Sequence, residues 1–342
     1  MAIKDLLVVR IIASIPLKIW TASGAALLTC FIVYCFYGSL VALALLTSTI
    51  LYVLYQVQDN LLYHPEIPQH SRIYVPMPSM YKMPFETVHI RSTDNVILHA
   101  FWIRHPGQSG MLVPNIIYFH GNAGNMGHRL QNVTGLFFTC RCNILLVDYR
   151  GYGLSTGVPT ERGLHADARA TFDYLFTRHD IDLNQICIFG RSLGGAVAID
   201  LAADPEYNQR IMCVILENTF TGIPEMAAEL IHPGLKYLPL FCYKNQYMSA
   251  YKIHFFSTPC LFVSGLADTL VPPRMMNHLY SKCGSLRKEL LQIAGGTHND
   301  TWTGNGYYNG LVRFLSECKE QRGPLQKPPT RNKDEWPKIE EV

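Results

Sequence analysis

The sequence predicts an α/β protein, a mostly parallel sheet flanked by helices and preceded by an N-terminal transmembrane helix. Three observations carry this. Short apolar runs alternate with helix-like segments along the chain, as expected when strands are covered on both faces. One such run, Ile186-Cys187-Ile188-Phe189, leads directly into Gly190-Arg191-Ser192-Leu193-Gly194 and then into an apolar helix. Finally, no Asp, Glu, Lys or Arg occurs between Lys18 and Asp59.

The uncharged stretch sets the N-terminal organisation. It exceeds the roughly 20 apolar residues that cross a bilayer. It is also longer than the apolar core of a signal peptide, about 7–15 residues. Residues 1–58 therefore read as a stub and a retained anchor, with one span centred near Leu28 to Leu54. A hairpin turning at Gly38-Ser39 is the alternative. Lys4, Arg10 and Lys18 precede the span, and Gln56 to Gln69 contain no Lys or Arg. For one span the positive-inside rule places the N-terminus in the cytoplasm and the rest of the chain outside it, a single-pass type II arrangement. For a hairpin the domain would be cytosolic.

Residues 59–84, with Pro, Met and Tyr prominent from 61 onward, read as a linker that packs on the domain. The domain proper is expected over 85–320. Its strand-like runs begin at Phe85-Ile90 and Ile97-Ile103, followed by Asn115-Phe119 and Ile144-Val147. A helix over Thr160-His179 follows, then the Ile186-Phe189 strand and runs ending near Leu216, Val263 and Ile293. Residues 220–256 are apolar and aromatic and read as an insertion serving as a lid or acyl pocket. The tail 321–342, with several prolines and mixed charge, reads as disordered. With about 260 residues outside anchor and tail, one large core is expected. The net charge of +3 is too small to suggest nucleic acid.

Gly-x-Ser-x-Gly between strand and helix is the arrangement that exposes a nucleophilic serine. Serine needs a base to take its proton. Asp268 follows a strand that ends in Gly265, and His298 follows the strand ending at Ile293. Nucleophile, acid and base thus come in the order Ser192, Asp268, His298, each beyond the carboxyl end of a strand. Glu217, ending the strand after Ser192, is the rival acid. The His120-Gly121-Asn122-Ala123-Gly124-Asn125 loop follows an early strand. The N–H groups of Asn122 and Leu193 are the expected oxyanion donors. The loop lacks the spacing of a nucleotide-binding turn, and no cofactor or metal is expected. Asn132-Val133-Thr134 and Asn299-Asp300-Thr301 match the N-glycosylation pattern. The ten cysteines form no clear disulfide or zinc framework.

The His120 loop, Asp148-Tyr149-Arg150-Gly151-Tyr152-Gly153, the Ser192 motif with Gly195, Asp268 and Gly296-Thr297-His298-Asn299-Asp300 together resemble the α/β-hydrolase superfamily. Within it the chain resembles the membrane-anchored alpha/beta hydrolase domain-containing proteins. The resemblance implies an eight-stranded α/β-hydrolase fold, a serine hydrolase with a Ser-Asp-His triad, and a membrane anchor. Esters or thioesters of lipids or acylated proteins are the expected substrates. Palmitoyl-protein thioesterase activity is the narrower enzymatic alternative, and a silent lipid- or protein-binding scaffold the alternative of another class. Oligomeric state is not legible.

Overall fold

The computed structural model describes residues 17–322. The apolar N-terminal segment comes first, as two helices, α1 (Leu17–Tyr37) and α2 (Ser39–Leu62). Gly38 separates them with φ +88° and ψ 171°, a conformation that L side chains rarely adopt. Between residues 23 and 55 most exposed positions of the two helices are apolar. The less exposed ones recur every three or four residues: Ser23, Ala26, Cys30 and Val33 in α1, Ala42, Leu46, Thr49 and Val53 in α2. Small side chains along this seam let the two helices pack side by side. The expected single continuous span from Leu28 to Leu54 is therefore interrupted. A glycine inside an uncharged run ends the first helix. α2 alone is long and apolar enough to cross a membrane among the described helices.

The domain is built on one eight-stranded sheet. Its strands are β1 (Phe85–Arg91), β2 (Ile97–Ile103), β3 (Asn115–Phe119), β4 (Asn143–Val147), β5 (Ile186–Arg191), β6 (Cys213–Glu217), β7 (Cys260–Gly265) and β8 (Lys288–Ile293). Their spatial order is β1-β2-β4-β3-β5-β6-β7-β8. β2 runs antiparallel to both of its neighbours and all later pairs are parallel. β3 to β7 are buried along nearly their whole length, which explains why they read as continuous apolar runs rather than alternating ones.

Helices cover both faces. α3 (Leu130–Phe138), α4 (Glu161–Leu175), α5 (Leu193–Ala203), the short α6 (Pro205–Asn208), α7 (Ile223–Leu230), the short α8 (Ser249–Lys252), α9 (Pro273–Lys282) and α10 (Tyr307–Gln321) follow in order. Two cores result. Trp102, Phe172 and Phe262 belong to one face; Tyr118, Phe189 and Phe314 belong to the other. α4 starts one residue after Thr160, whose hydroxyl accepts from the Gly163 amide at 3.1 Å. It ends at Leu175, short of the expected His179.

The first 16 residues, including Lys4 and Arg10, and the tail from 323 lie outside the described residues. Gln321 still belongs to α10, and Arg322 donates to the carbonyl of Gln209. Asn132 is a clear departure from its reading as a glycosylation acceptor. It sits within α3, 3% exposed, with its side chain among Tyr118, Tyr307 and Tyr308. A sugar on it has no room in the folded domain. Asn299 is exposed beside His298.

Candidate active site

β5 delivers Ser192 to the turn before α5. Its backbone takes φ +54° and ψ −120°, strained for any residue with a Cβ. Two glycines make that turn possible. A Cβ on Gly194 would lie 2.0 Å from the carbonyl oxygen of Phe119, and one on Gly190 would lie 2.3 Å from the carbonyl oxygen of Gly194. Strand, turn and helix are packed too closely here for any side chain. The Ser192 amide donates to the Glu217 carbonyl at 2.9 Å, which pins the turn to β6.

Ser192, His298 and Asp268 come together in one chain of hydrogen bonds. His298 Nε2 lies 3.0 Å from Ser192 Oγ, and His298 Nδ1 lies 2.7 Å from Asp268 Oδ2. The other oxygen of Asp268 accepts from the amides of Leu270 and Val271, both at 2.9 Å. The carboxylate is thereby oriented from both sides. All three side chains are largely buried, yet Ser192 keeps 7% of its surface open.

The His120–Asn125 loop closes the other side of Ser192. A Cβ on Gly121 would stand 3.5 Å from the Ser192 Cβ, so the loop passes directly beside the nucleophile position. The loop is held from several directions. Tyr149 Oη donates to the His120 carbonyl, and Tyr152 Oη donates to the Asn122 carbonyl. Asn125 Nδ2 donates to the carbonyls of Ser71 and Tyr74. Beneath it, Asp148 accepts from the Met126 amide at 2.7 Å and faces His120 at 3.3 Å. Burial alone would raise the Asp148 carboxyl, but the neighbouring imidazoles of His120 and His99 outweigh it and hold the group below its ordinary value. Arg150 braces the next turn through Asp167 and Asp94.

Glu217 lies elsewhere. It is fully buried, accepts from Tyr307 Oη, and pairs with Arg191 at 3.3 Å. Burial pushes its carboxyl up, with Arg191 and Tyr307 pulling the other way. The hydrogen-bonded partner of His298 Nδ1 is Asp268, not Glu217.

Two supporting residues escaped sequence reasoning. Arg191 donates to the His298 carbonyl and to Asn299 Oδ1, both at 2.7 Å. Asn218 accepts from the Gly265 amide at 2.8 Å and donates to Thr301 Oγ1 at 2.9 Å. It therefore ties the end of β7 to the His298 loop. The available signal was polar: each ends or follows an otherwise apolar strand at its carboxyl end, where sites of such sheets form.

Residues 113–257 match the family described as serine aminopeptidase, S33. Protein bem46 of Schizosaccharomyces pombe is 38% identical over 82% of this chain and 93% of its own length. The alpha/beta hydrolase domain-containing protein WAV2 of Arabidopsis thaliana is 36% identical over 78% and 89%. This chain belongs to the α/β-hydrolase family. An uncharacterized membrane protein of Saccharomyces cerevisiae is also 34% identical over 82% of this chain and 96% of its own. The fold is shared with the esterase Pf2001 of Pyrococcus furiosus, at a TM-score of 0.58 and 20% identity, covering 71% of this chain and 97% of that one.

Proposed function

We propose that this α/β hydrolase is a membrane-anchored serine hydrolase that cleaves carboxylic esters or thioesters of acyl groups. The observation that carries the reading is the unbroken hydrogen-bond chain from Ser192 through His298 to Asp268. In the mechanism, Ser192 Oγ attacks the acyl carbonyl while His298 Nε2 takes its proton. Asp268 holds Nδ1–H and stabilises the imidazolium. The developing oxyanion is received by the N–H groups of Asn122 and Leu193, the latter at the start of α5, where the helix dipole also favours negative charge. His298 then protonates the leaving alcohol or thiol. A water, deprotonated by His298, attacks the acyl-enzyme and releases the acid.

The acyl preference we propose rests on the apolar and aromatic composition of the 220–256 insertion. The inner side of the 220–256 insertion, including Phe220, Met226 and Tyr247, is buried in the domain core. Other apolar side chains of the insertion, Leu230, Leu238, Leu240 and Phe241 among them, stay open, and apolar surface of that kind binds an acyl chain by removing it from water. With the anchor beside the site, lipid esters and palmitoylated proteins are the substrates we favour.

The two-helix anchor supports a hairpin, with N-terminus and hydrolase on the cytosolic side. All ten cysteines are free. Cys187 and Cys213 are register partners on adjacent strands and both remain unbridged. Neighbouring unbridged thiols suit a reducing compartment. On that side the Asn299 sequon would carry no sugar.

The decisive experiment is labelling of the full chain with a fluorophosphonate. The wild type labels and Ser192→Ala does not. Undiminished labelling of a folded Ser192→Ala protein moves the nucleophile elsewhere and ends the proposal.

A further inference from the structure

The anchor does not trail away from the domain. Its last turn is built into the mouth of the site. Gln58 Nε2 donates to the Cys242 carbonyl at 2.8 Å, and the Lys244 amide donates back to Gln58 Oε1 at 2.9 Å. Lys244 Nζ reaches Asp59 at 2.6 Å and Gln56 Oε1 at 3.2 Å. Asn245 donates to Asp59 Oδ1 at 2.7 Å. On the other side, Asn122 Nδ2 donates to the Leu62 carbonyl at 2.9 Å, and the His64 amide donates to the Asn122 carbonyl at 2.9 Å. One end of α2 therefore grips both the insertion and the loop beside Ser192.

This fixes the depth of the insertion. The exposed apolar surface of α2 ends at Leu54 and Tyr55. Gln56, Gln58 and Asp59 follow, the polar residues expected where a span leaves the hydrocarbon. From Leu54 to Gln58 the helix rises only about 6 Å. The segment clamped at that level carries an outward apolar face. Tyr237 is 78% and Phe241 73% exposed, with Leu230, Ile231, Leu238 and Leu240 also open. Lys236 Nζ lies 4.9 Å from the Tyr237 ring centroid. Aromatic and aliphatic side chains beside a lysine are what sits well at a headgroup boundary, where the rings and chains enter and the ammonium stays wet.

We infer that residues 230–241 form a second membrane contact, an apolar face laid into the bilayer surface beside α2, so that the site draws its acyl substrate from the membrane plane. The occupant is a lipid surface because the Gln58, Asp59 and Lys244 contacts tether the segment directly after the patch to the end of the proposed span. Elements seated this way enter about 5–10 Å into the boundary region, which the rise from Leu54 allows. The substrate part of this inference rests on the acyl-hydrolase reading above; the membrane contact does not.

The test uses the full chain in phosphatidylcholine vesicles brominated near the top of the acyl chains. Phe241→Trp places a reporter on the face without disturbing packing. Phe138→Trp is the control, exposed at the end of α3 just before the amino end of β4, whereas the site lies beyond the carboxyl ends of the strands. The native tryptophans, one of them Trp20 in α1, set the background. The added emission of Phe241→Trp should be quenched relative to unbrominated vesicles, and that of Phe138→Trp should not. Equal, unquenched emission from both overturns the contact. In the same vesicles, combined Leu238→Ser, Leu240→Ser and Phe241→Ser should lower hydrolysis of a membrane-resident acyl ester about tenfold or more, since each lost side chain forgoes apolar burial. Hydrolysis of a soluble short-chain ester should stay within about twofold, because none of the three reaches the reacting atoms. Equal losses on both esters, or none on the membrane ester, overturn the inference. Quenching at position 241 in a parent that cleaves neither ester leaves the contact standing and removes the hydrolase reading instead.

Discussion

At the scale of single residues, Glu217 at the end of β6 and Asp268 just beyond β7 are two carboxylates with different partners. Asp268 holds the His298 imidazole, and Glu217 is locked between Arg191 and Tyr307. Asp268→Asn should therefore lower kcat by about four orders of magnitude, the scale seen when a triad carboxylate is lost and the imidazole tautomer is wrong. Its thermal stability should change little. Glu217→Gln should do the opposite. Leaving Arg191 buried beside a neutral amide costs about 3 kcal/mol, visible in denaturant unfolding, while the kcat of the surviving folded enzyme stays far above that of Asp268→Asn. The reverse ranking would make Glu217 the acid. Ser192, Asp268 and His298 were legible because motif, chain order and strand ends coincide. Arg191 and Asn218 were not, since their roles lie in bonds to loops more than seventy positions away.

At the scale of elements, the turn from β5 to α5 is the most constrained piece of the fold. Gly194→Ala would drive a methyl onto the Phe119 carbonyl, a backbone atom that cannot rotate aside. A loss of about 3 kcal/mol or more is expected, together with loss of fluorophosphonate labelling; an Ala variant with unchanged unfolding and labelling would contradict the close approach. α4 carries a pH-sensitive contact. Its His165 imidazole is pushed down to about 3 by burial, although Asp200 beside it favours the charged form and Lys252 and Arg169 oppose it. Unfolded, the same ring takes a proton near its ordinary 6.5. The folded state thus binds fewer protons between these values, and stability is lost as pH falls through that window. From pH 6.5 to 5 the loss from this group is about 2 kcal/mol. His165→Gln should remove that slope in urea titrations of the detergent-solubilised chain, and an unaltered slope would locate acid sensitivity elsewhere. The strands were legible because β3 to β7 are buried on both faces and so read as apolar runs. The break at Gly38 is not legible from hydropathy, which is continuous across it; only backbone conformation distinguishes a turn from a long span.

At the scale of the whole molecule, the proposed anchor raises the question of which side of a membrane the hydrolase stands on. Positive charges before the first helix are assigned to the cytoplasm by the same rule for one span or two. What differs is where the chain emerges. With α1 packed back along α2, a C-terminal tag should be digested by protease added to sealed microsomes. Protection until detergent is added would restore the single-span, type II arrangement. In both cases carbonate washing should leave the protein in the membrane pellet, since withdrawing α2 exposes its apolar surface to water.

The clamp at the base of α2 has a practical consequence for anyone seeking a water-soluble version of this enzyme. The natural place to cut is just after the apolar stretch, and a fragment beginning at His64 looks free of it. Such a fragment would lack the Leu62 carbonyl that Asn122 donates to and the Gln58 and Asp59 side chains that hold Cys242, Lys244 and Asn245. It would also lose the Tyr63 hydroxyl that meets Asn245 and Tyr247. Starting instead at Gln56 keeps every one of these partners while discarding the exposed leucines. Comparative solubility, melting and probe labelling of the two fragments should favour the longer one, and a chain trimmed for convenience would report on a loosened site.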